Sequence, residues 1–273
     1  MKRIGIILIL LIIFTGAGCH HNNKIFYTGS NSIKKPMQAL AEAYMQNNPE
    51  VKIKVQGSGS DSFHISNQGI YGQSRKLKPE EEKWIAKHGP VQREIFGYGA
   101  IAIIVNHENP IQSLDMEQLR KIYIGQIKNW KELGGGDNPI AVVSRGGRSG
   151  SEKYFEDEVL KGDKYVGRRY SIGLNEDIVK IVSKHKFAIG YVEVAYVNDS
   201  VKLLALADKP GNPAILPELK NLQDKTYPLT RPLYLMIKDE ANPEVKDFMN
   251  FILSDEGQKV LENIQYAPVN ELE

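Results

Sequence analysis

The 273-residue chain contains one cysteine, Cys19, so no intrachain disulfide can form and the fold must be held by packing and hydrogen bonding. It has no apolar run long enough to span a bilayer, which takes about 20 residues; the longest, residues 4 to 14, falls well short. It lacks an excess of either charge, since 35 Lys and Arg stand against 33 Asp and Glu, and two of the basic residues, Lys2 and Arg3, lie at the extreme N-terminus. The remainder of the chain is formally neutral, which argues against a nucleic-acid binder relying on a broad positive field. Any anion site has to be local. The six histidines form no H-E-x-x-H pair, no G-x-x-x-x-G-K-[ST] loop is present, and "GSGSDS" carries serine where a dinucleotide loop needs its third glycine. No metal and no cofactor are therefore expected. Internal repeats and low-complexity tracts are also missing.

Lys2 and Arg3, the apolar run and then Thr15, Gly16, Ala17, Gly18 and Cys19 have the layout of an export signal. The segment resembles a bacterial lipoprotein signal, with residues 1–18 removed and Cys19 lipidated as the new N-terminus, although Gly16 stands where such signals usually carry leucine. Residues 19–23 are then a polar tether. A plain secretory signal with an incidental thiol is the alternative.

Beyond the tether, strand-like and helix-like segments alternate. "VKIKVQ" has a period of two, "YGAIAIIVN" and "IAVVS" are runs suited to strands covered on both faces, and "FAIGYV", "VKLLAL" and "RPLYLMI" come later in the chain. Helices are expected after the loop "GSNSIKKP", after Ser113 as a cap, from Asn175, and from Asn242 and Pro243. The alternation predicts an α/β fold on mostly parallel sheets, in which ligands settle at the carboxyl ends of strands.

Three loops rich in glycine and serine have that setting: residues 28–33, 57–62 and 145–151. A helix start exposes unpaired N–H groups and the positive end of a dipole, glycine lets the backbone approach closely, and serine adds a hydroxyl. Three such ends meeting, with Arg145 as a fork of charge-assisted bonds, would surround a tetrahedral oxyanion. Each loop also has an ordinary reading. Ser149 and Glu152 fit the S-x-x-E capping box, which stabilises a helix without any ligand. A hydrolytic serine, Ser149 or Ser60, would need a histidine base that neither has nearby in sequence, and Gly147, Arg148, Ser149, Gly150 and Ser151 miss the G-x-S-x-G elbow. The scattered histidines, Trp84 and Trp130 are expected at the surface or in packing.

Nine segments in order, "TGSNSIKKP", "VKIKVQGSGS", "SRKLKPEE", "YGAIAIIVNHENP", "IGQIKNWKELGG", "SRGGRSGSEKYF", "AIGYVEVAYV", "YPLTRPLYLMI" and "DFMNFILSDEGQKVL", carry a resemblance to a known family. The chain resembles the PstS-like phosphate-binding proteins of bacterial phosphate ABC importers, in the type 2 periplasmic solute-binding superfamily. That resemblance implies an α/β, two-lobed periplasmic-binding-protein-like fold with a hinge and an interlobe cleft, the lobes being residues 24–103 plus 228–273 and residues 104–227. It implies an extracytoplasmic, lipid-anchored, monomeric receptor that is not an enzyme, takes up inorganic phosphate and hands it to the transmembrane subunits of an ABC permease. By position the ligand contacts fall on Ser32, the backbone of Ile33, Ser60, Ser74, Arg145, Ser149, Gly150 and Ser151.

Several departures bear on selectivity. Gly147 stands where the family often has an acid orienting the arginine, Arg148 replaces a glycine, Ser151 a threonine, and the segment before Ser74 is shortened. A protonated phosphate can donate to a carboxylate whereas sulfate has no proton to give, and Asp61 is the nearest candidate acceptor. Receptors for sulfate or molybdate, or a degenerate signalling or scavenging member, are the alternatives. If Cys19 is lipidated, Cys19→Ser should move the protein from the membrane to the soluble fraction on cell fractionation; unchanged membrane attachment would exclude lipidation as the anchor.

Overall fold

The computed structural model describes residues 23–57, 63–146 and 149–269. The signal segment, Cys19 and the tether before Asn23 lie outside the described residues, as do Ser60, Asp61, Gly147 and Arg148. Among the described residues no helix is long and apolar enough to cross a membrane.

The chain begins with β1 (Lys24–Gly29), α1 (Asn31–Asn47), β2 (Lys52–Val55), β3 (Gly69–Gln73), α2 (Pro79–His88) and the 15-residue β4 (Val91–Val105). It continues through β5 (Ser113–Asp115), α3 (Met116–Tyr123), β6 (Ala141–Arg145), α4 (Gly150–Phe155), β7 (Tyr170–Ile172), α5 (Asn175–Lys184), β8 (Ala188–Glu193), β9 (Lys202–Ala207) and α6 (Leu219–Gln223). It closes with β10 (Thr230–Lys238), α7 (Pro243–Leu253) and α8 (Asp255–Asn263).

The strands run in the order β2-β1-β3-β10-β4-β8-β6-β7, with β9 also on β4 and β5 beyond β9. The two lobes share β4. Its residues 91–100 pair antiparallel with β10, and from Ile101 onward it pairs with β8 and β9 instead. The first lobe packs α1, α7 and α8 over a core that includes Tyr27, Met37, Leu40, Phe96, Leu235 and Phe248. The second closes over Ile103, Leu119, Trp130, Phe155, Tyr191 and Leu204. Burial at β4 grows along its length: residues 91–95 alternate between exposed and half-buried, whereas 99–105 are all buried. Period-two patterning in the first part and an unbroken apolar run in the second are what one-faced and two-faced coverage require.

Three expectations need correcting. The sheet is mixed rather than mostly parallel, because β4 and β10 both run antiparallel to their neighbours. Ser113 does not cap α3; it lies in β5, and Asp115 is the cap, accepting from the Gln118 amide at 2.7 Å. The segment "GSNSIKKP" is not a loop before a helix, since α1 starts at Asn31 and contains Pro36.

That proline is tolerated for a local reason. Pro36 has no N–H, so the Ser32 carbonyl four residues earlier cannot receive its helical bond. The buried Tyr266 hydroxyl donates to it instead, at 3.1 Å. The first turn of α1 is thereby tied to the C-terminal segment of the chain. Tyr266→Phe should leave that carbonyl buried and unpaired, costing about 1–3 kcal/mol; urea denaturation measures it, and an unchanged midpoint would show that the bond contributes nothing.

Candidate functional site

The turn from β1 into α1 depends on close backbone approach. Gly29 has φ of 115°, and a Cβ there would lie 2.2 Å from the Gly72 carbonyl oxygen on β3. Only glycine fits, and its neighbour Ser30 is held by its amide donating to that same carbonyl at 2.9 Å. Ser30 is the helix cap: its Oγ accepts from the Ser32 amide at 3.3 Å and lies 3.1 Å from the Ser74 Oγ just past β3. The Ile33 amide donates to the Ser30 carbonyl at 3.1 Å, and the Ile33 side chain belongs to the core.

The second loop leaves β6. Arg145 ends that strand, and Ser149 caps α4 by accepting from the Glu152 amide at 3.0 Å. Gly150 and Ser151 are the first two residues of α4, and both are buried. The Ser151 hydroxyl lies 2.7 Å from that of Ser32, so the starts of α1 and α4, one in each lobe, touch through a pair of hydroxyls. The third loop, residues 57–62, follows β2. Residues 58–62 lie outside the described residues, and none of the described residues between β2 and β3 is helical. Among the described residues, two helix starts meet here. Of the eight residues expected around a ligand, the structure joins Ser32 to Ser151 and Ser74 to Ser30, gives Ser149 the capping role, and buries Arg145 at the end of β6.

Arg145 is fully buried, and none of its three guanidinium nitrogens has a hydrogen-bond partner among the described residues. Burial pulls its pKa below the usual arginine value, with the charge of Arg231 acting the same way and the Tyr191 hydroxyl opposing. An arginine has enough margin to stay protonated. A buried cation without a partner costs several kcal/mol, so the site is electrostatically incomplete by one negative charge.

A second arginine lies in the same place. Arg231, near the start of β10, is 1% exposed and donates to Ser151 Oγ at 2.9 Å, to the Ser74 carbonyl at 3.3 Å and to the carboxylate of the fully buried Glu193. Burial pushes the Glu193 carboxyl above its ordinary value, against the opposing pull of Arg231. Neither residue was expected at the site. The signal was there, in that Arg231 interrupts "YPLTRPLYLMI" and Glu193 ends the apolar run "AIGYVE", and a charge inside a buried strand demands a partner. Grooves open between the lobes on two sides: one of about 600 Å³ lined by Ser74, Lys78, Tyr154 and Arg231, and one of about 390 Å³ between Lys34, Lys35 and Tyr196. Among the described residues no cluster of three or more His, Cys, Asp or Glu is placed to hold a metal.

Two lobes sharing crossing strands, with buried cations and helix starts facing each other between them, define a binding protein of the periplasmic type. The model of the PBP superfamily domain matches residues 19–256. The chain is 31% identical over 252 residues to the phosphate-binding protein PstS of Bacillus subtilis (strain 168), covering 90% of this chain and 80% of that one. It is 28% identical to PstS of Staphylococcus aureus (strain USA300), covering 89% and 77%. Its fold matches a Clostridium perfringens phosphate ABC transporter substrate-binding protein solved with bound phosphate, at a TM-score of 0.80 and 32% identity, over 90% of this chain and 100% of that one. An ABC-type phosphate transport receptor from Vibrio cholerae gives 0.68 and 28%, over 89% and 99%. The chain belongs to the PstS phosphate-binding protein family.

The unpartnered charge yields a prediction of unusual sign. Replacing a buried ionic group by an apolar one of similar volume often stabilises a protein, so in phosphate-free buffer Arg145→Met should melt roughly 2–8 °C higher than the wild type. Calorimetry decides this, and a lower melting temperature would show that Arg145 is already compensated.

Proposed function

We propose that this chain captures inorganic phosphate outside the cytoplasm and delivers it to an ABC permease, and that it catalyses no covalent step. The observation carrying the reading is Arg145: a fully buried guanidinium with no partner among the described residues, at the end of the strand leading to α4, whose Ser151 hydroxyl meets that of Ser32 at the start of α1. A tetrahedral oxyanion supplies both the missing charge and the acceptors. The names of the relatives, and the bound phosphate of the Clostridium perfringens neighbour, support phosphate as that oxyanion. In this reading Ser32, Ser74, Arg145, Ser149, Gly150 and Ser151 surround the ion, with the Ile33 backbone and Ser60 as further contacts.

The lobes are residues 24–103 plus 228–273 and residues 104–227, supported by the exchange of partners along β4 between Ala100 and Ile101 and by the start of β10 at Thr230. The strands β4 and β10 are then the hinge, closure brings α1 and α4 together around the ion, and the closed surface is what the permease meets. The protein works as a monomer held to the membrane through lipidated Cys19. The nonenzymatic reading rests on the hydroxyls themselves. Ser149 spends its oxygen on a helix cap, and neither it nor Ser151 has a histidine among its hydrogen-bond partners in the described residues.

Calorimetric titration with phosphate, sulfate, arsenate and molybdate tests this. Phosphate is expected to bind and Arg145→Ala to weaken it by about 100-fold or more, the equivalent of losing a fork of two charge-assisted bonds. Tighter binding of sulfate or molybdate would move the protein to another oxyanion, and a wild type that binds none of the four ions would overturn the reading.

A further inference from the structure

Arg231 has a role that the capture of an anion by Arg145 does not account for. Its Nη2 carries two protons, and they go to two acceptors: the Glu193 carboxylate and Ser151 Oγ. Its Nη1 donates to the Ser74 carbonyl. A guanidinium has donors and no acceptor, so Ser151 is necessarily the acceptor in its contact with Arg231. The one proton of the Ser151 hydroxyl must therefore point elsewhere, and the Ser32 oxygen lies 2.7 Å away. If Ser32 accepts that proton, its own proton is directed onward. Two facing serines share one of their two protons between them and leave the other free; the guanidinium occupies a lone pair of Ser151, so that free proton cannot point back toward Arg231, and the cation strengthens each hydroxyl as a donor.

The placement of the arginine is itself built. Glu193 ends β8 opposite Ile101 in register, and Arg231 pairs with Gly99, so the ion pair spans β4 where that strand changes partners. A Cβ at Gly99 would lie 2.3 Å from Glu193 Oε1, and the glycine is what leaves room for the carboxylate. The face of Tyr154, 5.1 Å from the guanidinium carbon, adds a further support from α4.

We propose that Arg231, held by Glu193, is a positioning residue that commits the Ser151–Ser32 hydroxyl pair to donate its free proton toward the bound oxyanion. The proposal rests on the phosphate reading above and adds the means by which two neutral side chains are set to serve an ion that offers acceptors. It acts through Ser151, so its signature is coupling and not simple loss.

The test is a double-mutant cycle in the full chain, read by calorimetric titration with inorganic phosphate. Arg231→Gln is combined with Glu193→Gln, so that no buried carboxylate is stranded, and the pair is placed in the wild type and in Ser151→Ala. In the wild-type background the neutral pair should weaken phosphate binding about tenfold, and in Ser151→Ala by less than about twofold. Equal weakening in both backgrounds, or none in either, overturns the proposal; a purely structural role would lower the melting temperature without this coupling. Should the neutral pair fail to fold, Arg231→Lys keeps a cation for Glu193 while its single amine gives up the fork, and the same coupling to Ser151 is expected. A wild type that does not bind phosphate would instead sink the parent reading, and that result comes from the first titration alone.

Discussion

A guanidinium does not give up its proton inside a protein, and Arg145 is enclosed completely with no acceptor on its guanidinium nitrogens among the described residues. The surrounding structure is organised around that cost. Arg231 brings a second positive charge and Glu193 brings one negative charge, so the three buried side chains together retain one net positive charge. Neutralisation has to come from a ligand, and the groups nearest to hand are hydroxyls and helix starts. The site therefore favours an anion rich in acceptors and offers nothing to a cation or an apolar molecule.

The burial of that charge is possible because the lobes meet over it. β4 serves both lobes, with one half of its length against β10 and the other against β8 and β9. A strand that is the centre of two different cores cannot slip in register without exposing one of them. The short stretch where partners are exchanged carries Gly99, flanked by Arg231 and Glu193. In the proposed function, the binding chemistry and the crossing of the chain occupy the same few residues.

The two helix starts illustrate how one residue serves both stability and recognition. Ser30 and Ser149 cap α1 and α4, and in doing so they set the first turns that hold the buried Ser32 and Ser151. The capping reading of "SRGGRSGSEKYF" and the anion reading are not rivals. Ser149 satisfies the Glu152 amide, while Ser151, two residues further, turns its hydroxyl toward the opposite lobe. Tyr266 performs a similar double duty by repairing the helix at Pro36 and so fixing the turn that bears Ser32.

Much of this could be read along the chain. Alternation of apolar strands with amphipathic segments specified an α/β fold, glycine and serine after strand ends marked the loops, and Arg145 was the evident cation, because each of these signals is local in sequence. The mixed sheet was hidden, since the direction of β4 and β10 relative to their neighbours depends on long connections that leave no periodic trace. The early start of α1 was hidden by Pro36, whose defect is cured by a tyrosine near the opposite end of the chain. Arg231 and Glu193 were visible as charges within apolar strands, but their pairing across β4 was not. Residue order alone establishes which groups are able to bind an anion. Which of them meet is settled by folding, because charge pairing and hydroxyl polarity act over a few ångströms in space, whatever the separation along the chain.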